Sequence, residues 1–374
     1  MIIMALDHVR EFFHSGAMSF QPEDLSRTTV PLFFTRWITH ICAPVFMFTA
    51  GIAAFLWYQR GHTKRELSRF LLTRGLWLVV LDLTIVRFAL NFSFTSGFVI
   101  LNVLWALGWS MVALAALVYI PARWLAALSI AIISLHNLAD PITAAQFGSV
   151  GWIWNVAHQP GVFNLGGALV LAAYPLVPWI AVMSAGFCFG RIFLLDPLQR
   201  RRWLIGIGLG LTVAFLAIRW MNRYGDPAPW SSQVPGMAVV SFLRTTKYPP
   251  SLDFLLMTLG PAILLLAGLD RCRFAFTNPL LVFGRTPLFF FIVHLYFIHA
   301  LTIPFALVRY GEAHFLRNPS PSLGGDPKLY PSGYGYDLWV VYAVWLAVVV
   351  LLYPMCLWFA RLKERRKHWW LSYL

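Results

Sequence analysis

The residues of this chain that bear on chemistry are ionisable groups set among apolar ones. Asp7 and His8 stand side by side in the opening segment MIIMALDHVREFFH, residues 1–14. On a helix Asp7 shares a face with Arg10 and Glu11, at i+3 and i+4, so an Asp7–Arg10 ion pair is expected. His8 points about 100° away and is left to face another helix. A second segment, FFTRWITHICAPVFMFTAG (33–51), sets Arg36 and His40 four residues apart on one face. Histidine near a carboxylate suits a general base or a proton relay, and equally a polar clamp between helices. His8 and His40 are therefore the candidate bases, with Asp7 as the group that orients or charge-stabilises one of them.

More such groups follow. Asp82 and Arg87 are five apart and not aligned on one face, so structural ion pairing with other helices is expected. SLHNLAD brings His136, Asn137 and Asp140 to the end of an apolar run, and His158 follows in NVAHQPG. FGRTPLFFFIVHLYFIHA (283–300) carries Arg285, His294 and His299. Arg36, His136, His158, His294 and His299 form the expected substrate-facing set. His294 and His299 are five apart and do not make an HxxxH pair. With no HExxH and no Cys/His zinc spacing, no metal is expected. In TTKYPPSLDFLLMTLGP (245–261), Lys247 and Tyr248 precede a helix start whose first N–H groups either hold an anion or close a rigid turn. GxSxG, a Walker loop and a usable GxGxxG are all missing from the sequence.

The elements that must position these groups are those of a membrane protein. The 374 residues are 59% hydrophobic and 12% charged, with mean hydropathy +0.68, against about 25% charged in soluble domains. Each ionisable group inside a span costs about 2.5–3.5 kcal/mol on insertion scales, so their retention points to use. The expectation is an all-α, polytopic transmembrane helix bundle forming one domain over 1–374. Ten spans are read, at 1–14, 31–58, 70–92, 98–120, 122–140, 166–189, 203–221, 251–269, 279–308 and 337–360. Alternate connections are strongly basic, among them Arg60, Lys64, Arg65, Arg69, Arg200, Arg201, Arg202, Arg271, Arg273, Arg365, Arg366 and Lys367. The positive-inside rule puts these in the cytoplasm and, with an even span count, both termini with them. The net charge of +14 is then mostly topology, and nucleic acid is not expected as a partner. The other loops (15–30, 93–97, 141–165, 222–250, 309–336) lie outside and are long enough to cover a site. The four cysteines stand singly and read as packing residues. A first span of fourteen residues is too short to cross about 30 Å of hydrocarbon, so either it crosses partway or the natural start lies upstream.

Several strings taken together, MALDHVREFF, FFTRWITHICAPVFMFTAG, LHN…D, TKYPPSLDFLLMTLGPA, FGRTPLFFFIVHLYFIHA and the terminal WWLSYL, resemble a bacterial inner-membrane family related to the catalytic domain of heparan-α-glucosaminide N-acetyltransferase. The resemblance implies a multi-pass transmembrane acyltransferase with acetyl-CoA as co-substrate. It would carry the acetyl group from the cytoplasm to a sugar on the far side, a periplasmic or envelope glycan here. In the lysosomal relative an Asn of the first helix and a following His look catalytic. Asp7 stands at the Asn position, and His8, His14 and His40 are all open as the His. Arg74, Arg271 and Arg285 on the cytoplasmic side would attract CoA phosphates. Family members also carry a longer N-terminus, which agrees with an upstream start. Membrane lipid is the surrounding partner, and a homodimer is left open. Two other readings stand beside this one: a proton-coupled transporter or flippase of an envelope metabolite, and a membrane partner protein without catalysis.

Overall fold

The computed structural model describes residues 1–94, 97–233, 236–272, 275–323, 325–366, 368 and 371. Arg273 and Lys367 of the basic set, and most of the WWLSYL string, lie outside the described residues. In chain order the helices are α1 (Ile2–Phe13), α2 (Val30–Thr39), α3 (Cys42–Tyr58), α4 (Lys64–Leu81), α5 (Arg87–Asn91), α6 (Val103–Leu117), α7 (Ala122–Leu135), α8 (Gly151–Ala157), α9 (Leu176–Phe189), α10 (Pro197–Met221), α11 (Ala238–Leu243), α12 (Leu252–Leu269), α13 (Pro279–Arg285), α14 (Pro287–Tyr310) and α15 (Leu338–Arg365). The strands are β1 (Phe98–Leu101), β2 (Gly161–Leu165) and β3 (Ala168–Ala172), in the order β1-β3-β2. The all-α bundle expected from composition is what forms, with this small sheet added.

Local chemistry sets the helix ends. Thr63 and Glu66 make a reciprocal capping box at the start of α4, and Asp196 caps α10 just ahead of Pro197. Ser251 accepts the Phe254 N–H at the start of α12. The expected span 31–58 is two helices, broken at His40 and Ile41. Pro44 has no N–H, and its ring clashes with the carbonyl four residues back, that of His40. The expected span 279–308 breaks at Thr286, the residue before Pro287, which prolines keep out of the helical region. The expected span 70–92 runs through a π turn at Asp82–Val86.

Two expected spans are corrected. Helix 98–120 starts only at Val103, because 98–101 is strand β1. Helix 166–189 starts only at Leu176, because 161–172 is an antiparallel hairpin pairing Gly161 with Ala172 and Leu165 with Ala168. Its two-residue turn is Gly166-Gly167, both at positive φ (59° and 88°), the conformation a type I′ hairpin demands. Among the described residues seven helices are long and apolar enough to span a bilayer: Val30–Tyr58, Ala122–Ala139, Leu176–Leu194, Pro197–Met221, Leu252–Leu269, Pro287–Tyr310 and Leu338–Arg365. α1 has 12 residues and α6 has 15, and α4 opens in a charged run.

The chain divides into two compact units. The first comprises Met1–Cys42, Thr84–Phe98 and Arg273–Leu374, the second Ala43–Leu83 and Val99–Cys272. In the first unit α1 packs on α2, α14 and α15. Trp345 of α15 donates its indole N–H to the Ile2 carbonyl (2.8 Å), and Tyr334 and Tyr336 hold the other end of α1 through the Phe12 and Phe13 carbonyls (3.0 and 2.7 Å). α2 meets α15 where Thr35 Oγ1 and the Tyr342 hydroxyl lie 2.9 Å apart. The second unit is built from the pairs α4–α6, α10–α12, α7–α9 and α6–α9. At two crossings the backbones touch. A Cβ on Gly51 would lie 2.0 Å from the Met183 carbonyl oxygen, and one on Gly186 would lie 2.1 Å from that of Phe48. Gly75 and Gly108 repeat the arrangement between α4 and α6, at 2.5 Å each way. Small residues at helix crossings are how apolar helices gain contact when burial from water gives them no drive.

Candidate functional site

The polar groups of α1 and α2 are joined in one continuous chain within the first unit. His8 Nδ1 lies 2.9 Å from Glu11 Oε2, and Glu11 Oε1 lies 3.7 Å from Arg10 Nη2. Arg10 donates Nε and Nη2 to Asp7 Oδ1 (3.2 and 3.1 Å). Arg36 Nη1 donates to the other oxygen of Asp7, and Arg36 Nε to Glu23 Oε1 (3.0 Å). His40 Nε2 lies 3.2 Å from that same Glu23 oxygen. The Asp7–Arg10 pair expected from spacing is present, and Arg36 and His40 do act from one helix face. Glu11, expected on the Asp7 face, is the carboxylate on His8, at i+3. Glu23, from the connection ahead of α2, joins Arg36 to His40.

His8 keeps part of its surface open, its side chain 21% exposed, whereas Arg10, Arg36 and His40 are buried. Its ring lies 5.2 Å from that of His294 on α14. His294 is fully buried; its Nδ1 lies 2.8 Å from the Phe290 carbonyl, and its Nε2 has no hydrogen-bond partner among the described residues. That bond assigns the proton to Nδ1 and leaves Nε2 as an acceptor. His299 stacks on Phe92 at 3.9 Å and meets the Ala89 carbonyl at 2.7 Å, a packed position. His14 accepts the Gly16 N–H at Nδ1 and caps a short 3-10 turn.

Glu23 lies in the connection ahead of α2. Burial alone would raise its pKa, but the charge of Arg36, the hydrogen bond and charge of His40, and Arg10 behind them hold it well below the ordinary value. A folded pKa below the unfolded one contributes stability above the unfolded value, near pH 4.3, and loses it as pH falls through the folded value. The melting temperature is expected to hold from neutral pH to about pH 5 and to fall below that. Glu23→Gln should melt lower at pH 7, and the gap to wild type should close as the buffer is acidified. A gap that does not change with pH would disprove the assignment.

In the second unit His136 and His158 come together with Asp140. His158 Nε2 lies 3.2 Å from Asp140 Oδ1, and one ligand atom from each of the three residues lies within 4.8 Å of the other two. Asn137 donates to Asp140 Oδ2 (2.8 Å) and accepts the Leu252 N–H (2.9 Å). That last bond bears on the anion reading of 245–261. The first N–H groups of α12, on Leu252, Asp253 and Phe254, already donate to Asn137, Gly225 and Ser251, so the rigid turn is the correct reading. Lys247 is buried with its ammonium 5.0 Å from the Tyr248 ring centre.

Among the described residues Asp82 makes no ion pair; its Oδ2 accepts the Asn102 N–H at 3.0 Å, ahead of α6. Of the three candidate CoA-binding arginines, Arg271 and Arg285 are exposed and Arg74 half-buried; Arg285 lies 3.9 Å from Glu364. Sequence reading missed Arg219, which sits buried in α10. It donates to the carbonyls of Phe242, Ala228, Ser241 and Arg244 and so holds the 222–250 loop. An arginine with no acidic neighbour at helical spacing gives no pattern to find.

Among known proteins, the model of one family, described as heparan-alpha-glucosaminide N-acetyltransferase, catalytic, matches residues 11–220. No curated protein and no solved structure matches the chain. The matched residues include Arg36, His40, Arg74, His136 and His158, while Asp7, His8 and Arg10 precede them and Arg271, Arg285, His294 and His299 follow. With more than half its length matched and seven helices of spanning length and composition, this chain is a multi-pass membrane protein belonging to the heparan-alpha-glucosaminide N-acetyltransferase catalytic family.

Proposed function

We propose that the protein is an acetyl-CoA-dependent acyltransferase of the bacterial inner membrane, acting on a hydroxyl or amine of a glycan-type acceptor on the outer side. The observation that carries this is the chain His8–Glu11–Arg10–Asp7–Arg36–Glu23–His40. Its fixed charges are three carboxylates and two guanidiniums, a frame of net charge −1 before any charge on the two histidines is counted. A proton arriving on His8 would neutralise that frame, which is the electrostatic preparation a general base needs.

The step follows from the His8–Glu11 contact. His8 donates its Nδ1 proton to Glu11, which leaves the Nε2 lone pair to take the proton of the acceptor. The acceptor oxygen or nitrogen bonds to the acyl carbon, the carbon–sulfur bond breaks, and CoA leaves as a thiolate that recovers the proton from His8. Asp7 holds Arg10 and Arg36 in place, and Arg36 helps to keep Glu23 charged. Arg74, Arg271 and Arg285 are each candidates to attract CoA phosphates, by charge alone. The charge asymmetry of the loops supports basic connections in the cytoplasm and the 15–30 connection outside.

The test uses the purified full chain in detergent. Acetyl-CoA at a hundred times Kd should stabilise it by about 2.7 kcal/mol, read as a rise in melting temperature, and an added oligosaccharide acceptor should release free CoA thiol. A transporter using the same histidines as a relay would show neither. Absence of both would overturn the acyltransferase reading.

A further inference from the structure

The group His136, Asp140 and His158 in the second unit has the composition and the spacing of a metal site. All three residues lie at the ends of short elements. His136 opens the 3-10 turn that follows α7, Asp140 closes it, and His158 follows α8. His136 is 7% exposed and His158 4%. Neither ring nitrogen of His136 makes a well-formed hydrogen bond among the described residues, the Pro250 carbonyl being only close enough to act on the ring. One carbonyl can serve only one ring nitrogen, so at least one nitrogen of this buried imidazole forgoes a hydrogen bond it would make in water, and that leaves room for a ligand.

We propose that these three side chains bind a divalent transition-metal ion of the zinc class, with a fourth position left to water or a substrate oxygen. Two imidazoles and one carboxylate favour such an ion over magnesium or calcium, which take oxygen ligands. The distances agree. Ligand bonds of about 2.0–2.1 Å in a tetrahedron set neighbouring ligand atoms about 3.3 Å apart, and His158 Nε2 lies 3.2 Å from Asp140 Oδ1. The longest edge of the triangle is at most 4.8 Å, so closing on an ion takes a contraction of about 1.5 Å, within reach of side-chain rotation alone. A supporting layer is in place. Asn137 holds the second carboxylate oxygen of Asp140 and is itself fixed by the Leu252 N–H. The Trp154 ring packs 5.1 Å from that of His158. Asp140 is 19% exposed at its side chain, which provides the way in. All three residues belong to the second unit, and the test does not depend on acyl transfer.

The experiment takes the full-length protein, free of any histidine tag, stripped with a chelator and titrated with zinc. Bound metal is measured by mass spectrometry, and cobalt is used as a spectroscopic substitute. The expected result is about one ion per chain with the cobalt absorption of a four-coordinate site. Asn137→Ala should weaken binding about 10–100-fold. The double variant His136→Gln/His158→Gln should bind no stoichiometric ion. A second measurement needs no variant: bound zinc should protect His136 and His158 of the wild type from carbethoxylation, mapped by peptide mass. Zinc binding that survives in the double variant would overturn the proposal, as would a stripped wild type that takes up no ion or whose two histidines are modified equally with and without zinc.

Discussion

His8→Ala is expected to lower acetyl transfer by about 10²–10⁴-fold, the range a general base contributes, with acetyl-CoA binding retained and melting little changed. The reason is position. His8 is the part-exposed end of the charged chain, with Glu11 on its Nδ1 at 2.9 Å. Its removal takes away the lone pair that receives the proton, and Glu11 keeps Arg10 as a neighbour. Glu11→Gln should fall between wild type and His8→Ala in turnover, because the amide still occupies the site without the charge. His40→Ala should behave differently. That ring is buried beside Glu23, so its loss removes a hydrogen bond to a carboxylate, costing about 1.5–3 kcal/mol of stability, with little effect on turnover of the folded fraction. Full activity in His8→Ala would reject His8 as the base and move the role to His294, whose ring is 5.2 Å away.

Arg36→Ala should be the most damaging substitution for folding. Arg36 is buried and joins Asp7 of α1 to Glu23 of the following connection. Removing one member of a buried ion network leaves uncompensated charge and costs about 3–5 kcal/mol, enough to deplete the folded protein in the membrane. Arg36→Lys should rescue little, since one ammonium cannot reproduce the planar fork that reaches two carboxylates. The triple change Arg36→Met/Asp7→Asn/Glu23→Gln should recover a large part of the loss, because it removes the stranded charges along with the cation. Yield of detergent-stable protein and melting temperature are the readouts. An Arg36→Ala protein as abundant and as stable as wild type would show that the network is ornamental.

What could be read from the sequence depended on how local each interaction is. Asp7–Arg10 and the Arg36–His40 face follow from helix periodicity alone and are found in the structure. His8–Glu11 is equally local, at i+3, but Glu11 also sits four residues from Asp7, so spacing alone does not say which of the two it serves. Glu23 lies in an irregular connection, where spacing carries no geometric meaning, and only tertiary structure brings it to Arg36. The same holds for His158: its place beside His136 and Asp140 depends on how the chain returns after α8. Among the elements, the helix breaks at Pro44 and Pro287 have a visible cause. The strands at 98–101 and 161–172 do not, because short apolar runs look alike as strand or as buried helix. The family was legible from long strings that do not depend on fold at all.

The glycine crossings of the second unit also determine how it can move. Sliding α3 one turn along α9, about 5.4 Å, would bring Met47 or Phe55 to the place where Gly51 now meets the Met183 carbonyl. Sliding α4 along α6 would likewise bring Leu71 or Val79 to the contact that Gly75 makes with Gly108. Translation is therefore blocked at both crossings, whereas a small rocking about each point of contact keeps the backbones touching. Each glycine pair thus acts as a pivot. Rearrangement at these crossings is limited to scissoring, and longer displacements belong to segments without such a contact, such as the π turn at Asp82–Val86 or the Gly166-Gly167 hairpin.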